Sequence, residues 1–133
     1  MLLGARWNSR GKRVIYAAAT YAGALLEQLA HANIGVLPGQ QMWIEIDIPE
    51  DLAVERVFPE EVPGWDTADM IAGRARGDRW IGAKKSAILI VPSAVTDGME
   101  SNILINPAHP DFTRIHASEP KPVRWDPRLK SLR

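Results

Sequence analysis

The sequence predicts an α+β fold with a mainly antiparallel or mixed sheet. Three observations point there. Strand-like segments outnumber helix-like ones, and the two kinds do not alternate strictly. One continuous apolar run, Ala87–Val91 (AILIV) closed by Pro92, has the pattern of a central buried strand. At 133 residues the chain has the length of one domain, 1–133, and a second independent core is not expected.

The elements follow in order. Arg13–Ala18 (RVIYAA) is β-branched and aromatic, and it follows the Ser9-Arg10-Gly11 turn, so it reads as a strand. Thr20 is placed to cap a helix running to about Ala32, with Asn33 and Gly35 suited to end it. Met42–Ile48 (MWIEIDI) alternates apolar and polar residues like a half-buried strand, and Pro49 stops it. Leu52–Phe58 adds a short extended piece. Two prolines and a glycine make residues 59–65 a loop. Thr67–Trp80 is the second helical segment, with Ala68, Ile71 and Ala72 on one face, weakened by Gly73 and Gly77. Ile103–Ile105 and Phe112–Ile115 read as short strands around Asn106-Pro107-Ala108-His109-Pro110. Pro120–Arg133 reads as an edge segment or extended tail.

Charge and composition exclude several functions. Hydrophobic residues make up 46% and charged residues 24%, an ordinary globular balance. Lys+Arg and Asp+Glu both number 16, so no global charge draws the chain to nucleic acid or membrane. Locally, residues 45–69 hold nine acids against Arg56 alone, whereas residues 1–14 and 70–85 are basic. Such runs read either as solvated faces or as an anion-binding cleft opposite an acidic, partner-facing loop. With no cysteine, disulfides and thiolate metal sites are excluded, which fits a reducing cytoplasm. No apolar run approaches a membrane span, and Met1–Ala5 is too short for a signal peptide. There is no GxGxxG after a strand, no GxxxxGK[ST], no HExxH and no GxSxG. His31, His109 and His116 lack metal-ligand spacing, so no metal is expected. Catalysis must then run on carboxylate, guanidinium, hydroxyl and amide groups.

Five residues are candidates. Glu27, on the first helix, projects over Gly23, Ala24 and Ala30, which leave room for a ligand; the plainer account is an exposed glutamate paired with His31. Arg6, among small residues beside Trp7, has a guanidinium able to grip a diphosphate bidentately, or is simply a surface arginine. Tyr16 is mid-strand, where a core tyrosine with its hydroxyl at the sheet edge is the usual explanation. Ser93 directly follows the buried strand and is either a working side chain or a turn cap. Asn102, in Glu100-Ser101-Asn102, stands at the start of another strand or in a turn.

Taken together and in order, the stretches GARWNSRGKRVIYAA, ALLEQLAH, GDRWIG, LIVPSAV and ESNILINPAHPDF closely resemble the RES-domain family, toxins of bacterial Xre–RES toxin–antitoxin pairs. The resemblance runs from Gly4 to about Leu129. Arg6, Glu27 and Ser93 match the Arg, Glu and Ser for which the family is named, and Tyr16 and Asn102 match its other polar positions. Relatives usually carry a short segment before the Gly-x-Arg-Trp-Asn motif, on which this chain almost starts. The resemblance implies a fold similar to ADP-ribosyltransferase toxins, with a split β-structure holding NAD in a cleft. It implies cleavage of the nicotinamide–ribose bond, with ADP-ribose passed to a protein, to phosphate (an NAD phosphorylase) or to water. On that basis Glu27 stabilises the cationic ribosyl centre, Arg6 holds the diphosphate and Tyr16 packs on the nicotinamide or ribose. Ser93 bonds the nicotinamide-ribose side, supported by Asn102. The implied partner is an Xre-like antitoxin covering the cleft, for which the basic residues around Arg6 and Arg74–Arg79 suit an acidic insert. The alternative is a non-catalytic module that binds NAD, ADP-ribose or a protein. A ribonuclease is disfavoured, since no His pair suggests acid–base cleavage of RNA.

Overall fold

The computed structural model describes residues 5–31 and 39–129. In chain order the elements are β1 (Ile15–Ala18), α1 (Tyr21–His31), β2 (Met42–Trp43), β3 (Ile46–Asp47), β4 (Val54–Arg56), α2 (Ile71–Ala83), β5 (Ile88–Pro92), β6 (Ser101–Ile105), β7 (His116–Ala117) and β8 (Lys121–Pro122). The main sheet has the order β1-β6-β5-β4, antiparallel except for the β4–β5 pair, and two-stranded ladders β2–β8 and β3–β7 stand apart from it. This is the α+β class with mixed strand directions.

Register decides what each sheet face carries. Tyr16 pairs with Leu104 and Ala18 with Asn102, while Leu104 and Asn102 pair in turn with Leu89 and Val91. Paired residues and those two apart share a face. One face thus presents Tyr16, Ala18, Asn102, Leu104, Leu89 and Val91. Its aliphatic members join Trp7, Val57, Val62, Trp65 and Trp80 in the larger core cluster. The opposite face buries Ile88 and Ile105, with Ile46, Ile48, Ile90, Ile103, Phe112 and Ile115 against them. Buried on both faces, β5 is the central strand its apolar run predicts.

Three segments differ from their sequence pattern. Met42–Ile48 is not one strand but two, β2 and β3: between them Ile44 and Glu45 face three residues, Ser118-Glu119-Pro120, that separate the partners β7 and β8, and proline has no N–H for a ladder. Glu45 meets Ser118 through one backbone bond, the Ser118 N–H donating to Glu45 O at 2.8 Å, while the Glu45 N–H donates to the Ser118 hydroxyl at 2.8 Å rather than to a carbonyl. Phe112–Ile115 is no strand: Pro110–Arg114 is a 3₁₀ turn, with His109 Nδ1 accepting from Asp111 N–H at 3.0 Å and Pro110 at its first position. The second helix begins at Ile71 rather than Thr67. Thr67 Oγ1 donates to Gly64 O, Asp69 Oδ1 accepts the Ile71 N–H at 3.0 Å, and Met70 sits at φ 61°, so residues 67–70 form its entry turn. It then runs past Trp80 to Ala83, where Lys84 closes it at φ 53°. The expected end of α1 at Asn33 and Gly35 lies outside the described residues; its start is capped as predicted, Thr20 Oγ1 accepting from Gly23 N–H at 3.0 Å.

Glycine spacing explains how α2 docks. Gly73 and Gly77 lie four residues apart, on one helix face, and a methyl group at either would fall on the carbonyl oxygens of Arg6 and Trp7 respectively. Their lack of a side chain lets the helix backbone touch the 5–9 segment directly. Arg74 Nε donates to Ala5 O at 2.8 Å, and Asp78 accepts both the Ser9 N–H (2.9 Å) and the Ser9 hydroxyl. The N-terminal segment is thereby held along α2, with Trp7 stacked on Trp65 at 6.2 Å between ring centroids.

Candidate active site

The site is built where the Glu27 side chain of α1 reaches the residue after β5 and the start of β6. Glu27 does not spend its carboxylate on His31, whose Nδ1 lies 2.7 Å from the backbone oxygen of Glu27 instead. The carboxylate turns to the sheet. Its Oε1 accepts from Ser93 Oγ at 3.0 Å and from Asn102 Nδ2 at 2.9 Å, groups 66 and 75 residues away. Oε2 has no hydrogen-bond partner among the described residues. Two donors on one oxygen orient the group.

Local structure fixes both donors. Ser93 follows β5, is 2% exposed, and heads a turn closed by its own backbone: its N–H donates to Glu100 O at 2.9 Å and its carbonyl accepts the Gly98 N–H at 2.8 Å. Thr96 pins the same turn, donating to Ser93 O at 3.3 Å and accepting the Glu100 N–H at 3.0 Å. Asn102 is in β6, opposite Val91 on one side and Ala18 on the other. Gly23, one turn before Glu27, faces Glu100, whose Oε1 also lies 3.3 Å from Thr20 Oγ1.

Tyr16 occupies the same sheet face as Asn102, two rungs along β1. The residue is 39% exposed, while its hydroxyl is bonded within the protein. The hydroxyl donates to Asn8 Oδ1 and accepts the Trp7 N–H at 3.3 Å. Burial of the hydroxyl pushes its pKa up to about 12, outweighing the Trp7 N–H and the Arg74 charge that favour ionisation. Arg6 is placed differently. Its Nη1 donates to Trp65 O (3.1 Å) and Thr67 O (3.0 Å), tying β1's leading segment to the loop before α2. The structure therefore joins Glu27, Ser93 and Asn102 by direct hydrogen bonds, sets Tyr16 beside them on the sheet, and gives Arg6 a separate anchorage. An open recess of about 310 Å³ on the β3–β7 ladder, lined by Glu45, Asp47, His116 and Ser118 among others, contains none of these residues.

Residues missed from the sequence are those that hold the site. Asn8 carries the Tyr16 hydroxyl, Asp78 and Arg74 hold the 5–9 segment, and Thr96 closes the Ser93 turn. Their one trace in the sequence is indirect, the pair Gly73 and Gly77 four residues apart on one helix face, whose reason only the fold supplies. Among the described residues no three His, Asp or Glu side chains cluster to hold a metal ion, and no helix is long and apolar enough to cross a membrane.

Known proteins are similar to this chain in sequence. A protein named Prs ADP-ribosylating toxin, from Sphingobium sp. (strain YBL2), is 38% identical over 134 residues, covering 96% of this chain and 81% of its own. Proteins named Toxin Res are 32% identical in Yersinia enterocolitica, over 96% of this chain and 84% of theirs, and 33% identical in Pseudomonas putida, over 79% and 72%. The family profile described as RES domain matches residues 2–126. With that match spanning nearly the whole sequence, the chain belongs to the RES-domain family.

Proposed function

We propose that this protein is a toxin that cleaves NAD at the nicotinamide–ribose bond and transfers the ADP-ribose. The observation that carries this reading is the Glu27 carboxylate, oriented through one oxygen by Ser93 and Asn102. In the proposed reaction the glycosidic C–N bond breaks, nicotinamide leaves with the bonding pair, and the ribose carbon becomes oxocarbenium-like. The acceptor oxygen or nitrogen then bonds that carbon and loses its proton. An ionised carboxylate held beside the ribose stabilises the cation and orients a ribose hydroxyl, the role assigned to Glu27. Ser93 and Asn102 line the nicotinamide-ribose side, and Tyr16 offers its ring for stacking. Arg6 keeps Nε and Nη2 for a diphosphate while Nη1 holds the Trp65–Thr67 loop.

The name of the Sphingobium relative favours a protein as acceptor, and phosphate is the second candidate. The relatives named toxins also support an inhibitory partner, which in this reading is an Xre-like antitoxin over the site of a cytoplasmic protein. Arg76 and Arg79, on α2, would meet an acidic insert, so partner affinity is predicted to fall as salt rises. The acceptor is tested by mixing the protein with NAD alone, with phosphate, or with cell extract, and measuring free nicotinamide and labelled protein. Release accompanied by labelled protein supports the transferase, and release only with phosphate a phosphorylase. A protein that binds NAD without releasing nicotinamide under any condition is a binding module, and the proposal is wrong.

A further inference from the structure

We infer that Asn8 is a positioning residue for the site, acting by holding the Tyr16 ring in place through its hydroxyl. The inference rests on the NAD-cleaving reading for its kinetic consequence, but not for its geometry. Asn8 is a polar side chain 4% exposed, and both ends of its amide are committed. Its Nδ2 donates to Lys12 O at 2.8 Å. A carbonyl oxygen only accepts, so this bond fixes which way the amide faces and turns Oδ1 to the Tyr16 hydroxyl. The hydroxyl must then donate to Asn8, and its lone pair takes the Trp7 N–H. With its proton and one lone pair engaged inside the protein, the hydroxyl has no proton to donate to a ligand. What the site receives from Tyr16 is the ring.

The backbone reinforces the arrangement. Ala5 and Asn8 bridge each other, the Ala5 N–H donating to Asn8 O at 2.9 Å, and Asp78 clamps the next residue, Ser9. Asn8 is thus fixed from both sides by α2 and the 5–12 turn. The ring of Tyr16 is aimed from its far end by a segment that itself contributes Arg6. One short stretch, Arg6-Trp7-Asn8, would in this way supply an anion-binding side chain, a core tryptophan and the support of the stacking ring.

The test is a double-mutant cycle of Asn8→Ala and Tyr16→Phe, read as kcat and KM for nicotinamide release, with the unfolding midpoint of each variant measured alongside. Each single substitution is predicted to lower kcat/KM about tenfold, and the double variant to lose little more than either alone, because both remove one link. Additive losses, or a folded Tyr16→Phe with unchanged kcat and KM, would overturn the inference. A second readout needs no turnover. In a Tyr21→Phe background, tyrosinate absorbance reports Tyr16 alone, and Asn8→Ala is predicted to bring its midpoint from about 12 down toward the ordinary value near 10 as water reaches the hydroxyl. An unmoved midpoint refutes the link between the two residues. An inactive parent protein would instead refute the NAD reading alone, leaving the titration to decide the role of Asn8.

Discussion

Glu27 extends from a helix without a single fully buried residue, yet its carboxylate accepts two side-chain hydrogen bonds from the sheet. A surface glutamate paired only along its own helix would contribute a few tenths of a kcal/mol and leave no trace on the sheet. Here Ser93 and Asn102 both aim their donors at Oε1. Truncating either is predicted to loosen the carboxylate, so that Ser93→Ala and Asn102→Ala slow nicotinamide release while the core remains intact, as steady-state kinetics beside thermal unfolding would reveal. Tyr16 yields a prediction in pH. Its folded pKa of about 12 lies above the ordinary value near 10 of the unfolded chain. The folded protein therefore retains a proton that the unfolded chain has released, and this contribution to stability is complete below pH 10 and lost as pH rises toward 12. Urea unfolding across that window should show a steeper decline in wild type than in Tyr16→Phe.

The elements that frame the site differ in how firmly they are held. β5 and β6 are packed on both faces, whereas α1 meets mainly β1 and is anchored by Glu27 and by the Thr20 cap. Amide exchange is accordingly predicted to be faster in α1 than in β5, and to slow in α1 when a ligand engages Glu27. Along α2 the glycines give a sharper contrast. Gly77→Ala places a methyl group on the Trp7 carbonyl and is predicted to cost about 3 kcal/mol. Gly82, in the same helix, has nothing within 4 Å of its would-be methyl, and Gly82→Ala should stabilise by about 0.5–1 kcal/mol. Equal effects in denaturant titrations would contradict the direct backbone contact. That contact also marks where the sequence stops being readable. Helix propensity alone scores Gly73 and Gly77 as weaknesses, because the reason for them lies some seventy residues earlier at Arg6 and Trp7. The split of Met42–Ile48 was hidden for the same reason: its alternation is genuine, but the break lies opposite Ser118-Glu119-Pro120 on the partner side.

For the molecule as a whole, several members of the local charge runs are engaged inside the protein. Within the acidic stretch, Asp51 forms a two-oxygen pair with Arg114 at 2.7 Å, Glu55 accepts from buried Ser86 at 2.5 Å, and Asp69 caps the start of α2. The Arg114 guanidinium holds the Asp51 carboxyl below its usual range, and the Ile71 N–H does the same for Asp69. Arg6 and Arg74 likewise direct donors to backbone carbonyls. The α+β class, the central strand and the cap of α1 were legible from periodicity and turn chemistry, and the ordered motifs singled out Glu27, Ser93 and Asn102, which the fold joins by hydrogen bonds. Their assembly was not, since Glu27 meets its partners across separations that no local pattern encodes. Charge runs could not distinguish a partner-facing surface from internal pairing either.

The central claim is that the Glu27 carboxylate, held by Ser93 and Asn102, carries the cleavage of NAD. Its most direct test is nicotinamide release by wild type and by Glu27→Gln, a change that keeps the shape of the side chain and removes its charge. The predicted result is a loss of about 10²–10³ in rate with an unchanged unfolding midpoint. A folded Glu27→Gln protein releasing nicotinamide at the wild-type rate would contradict it.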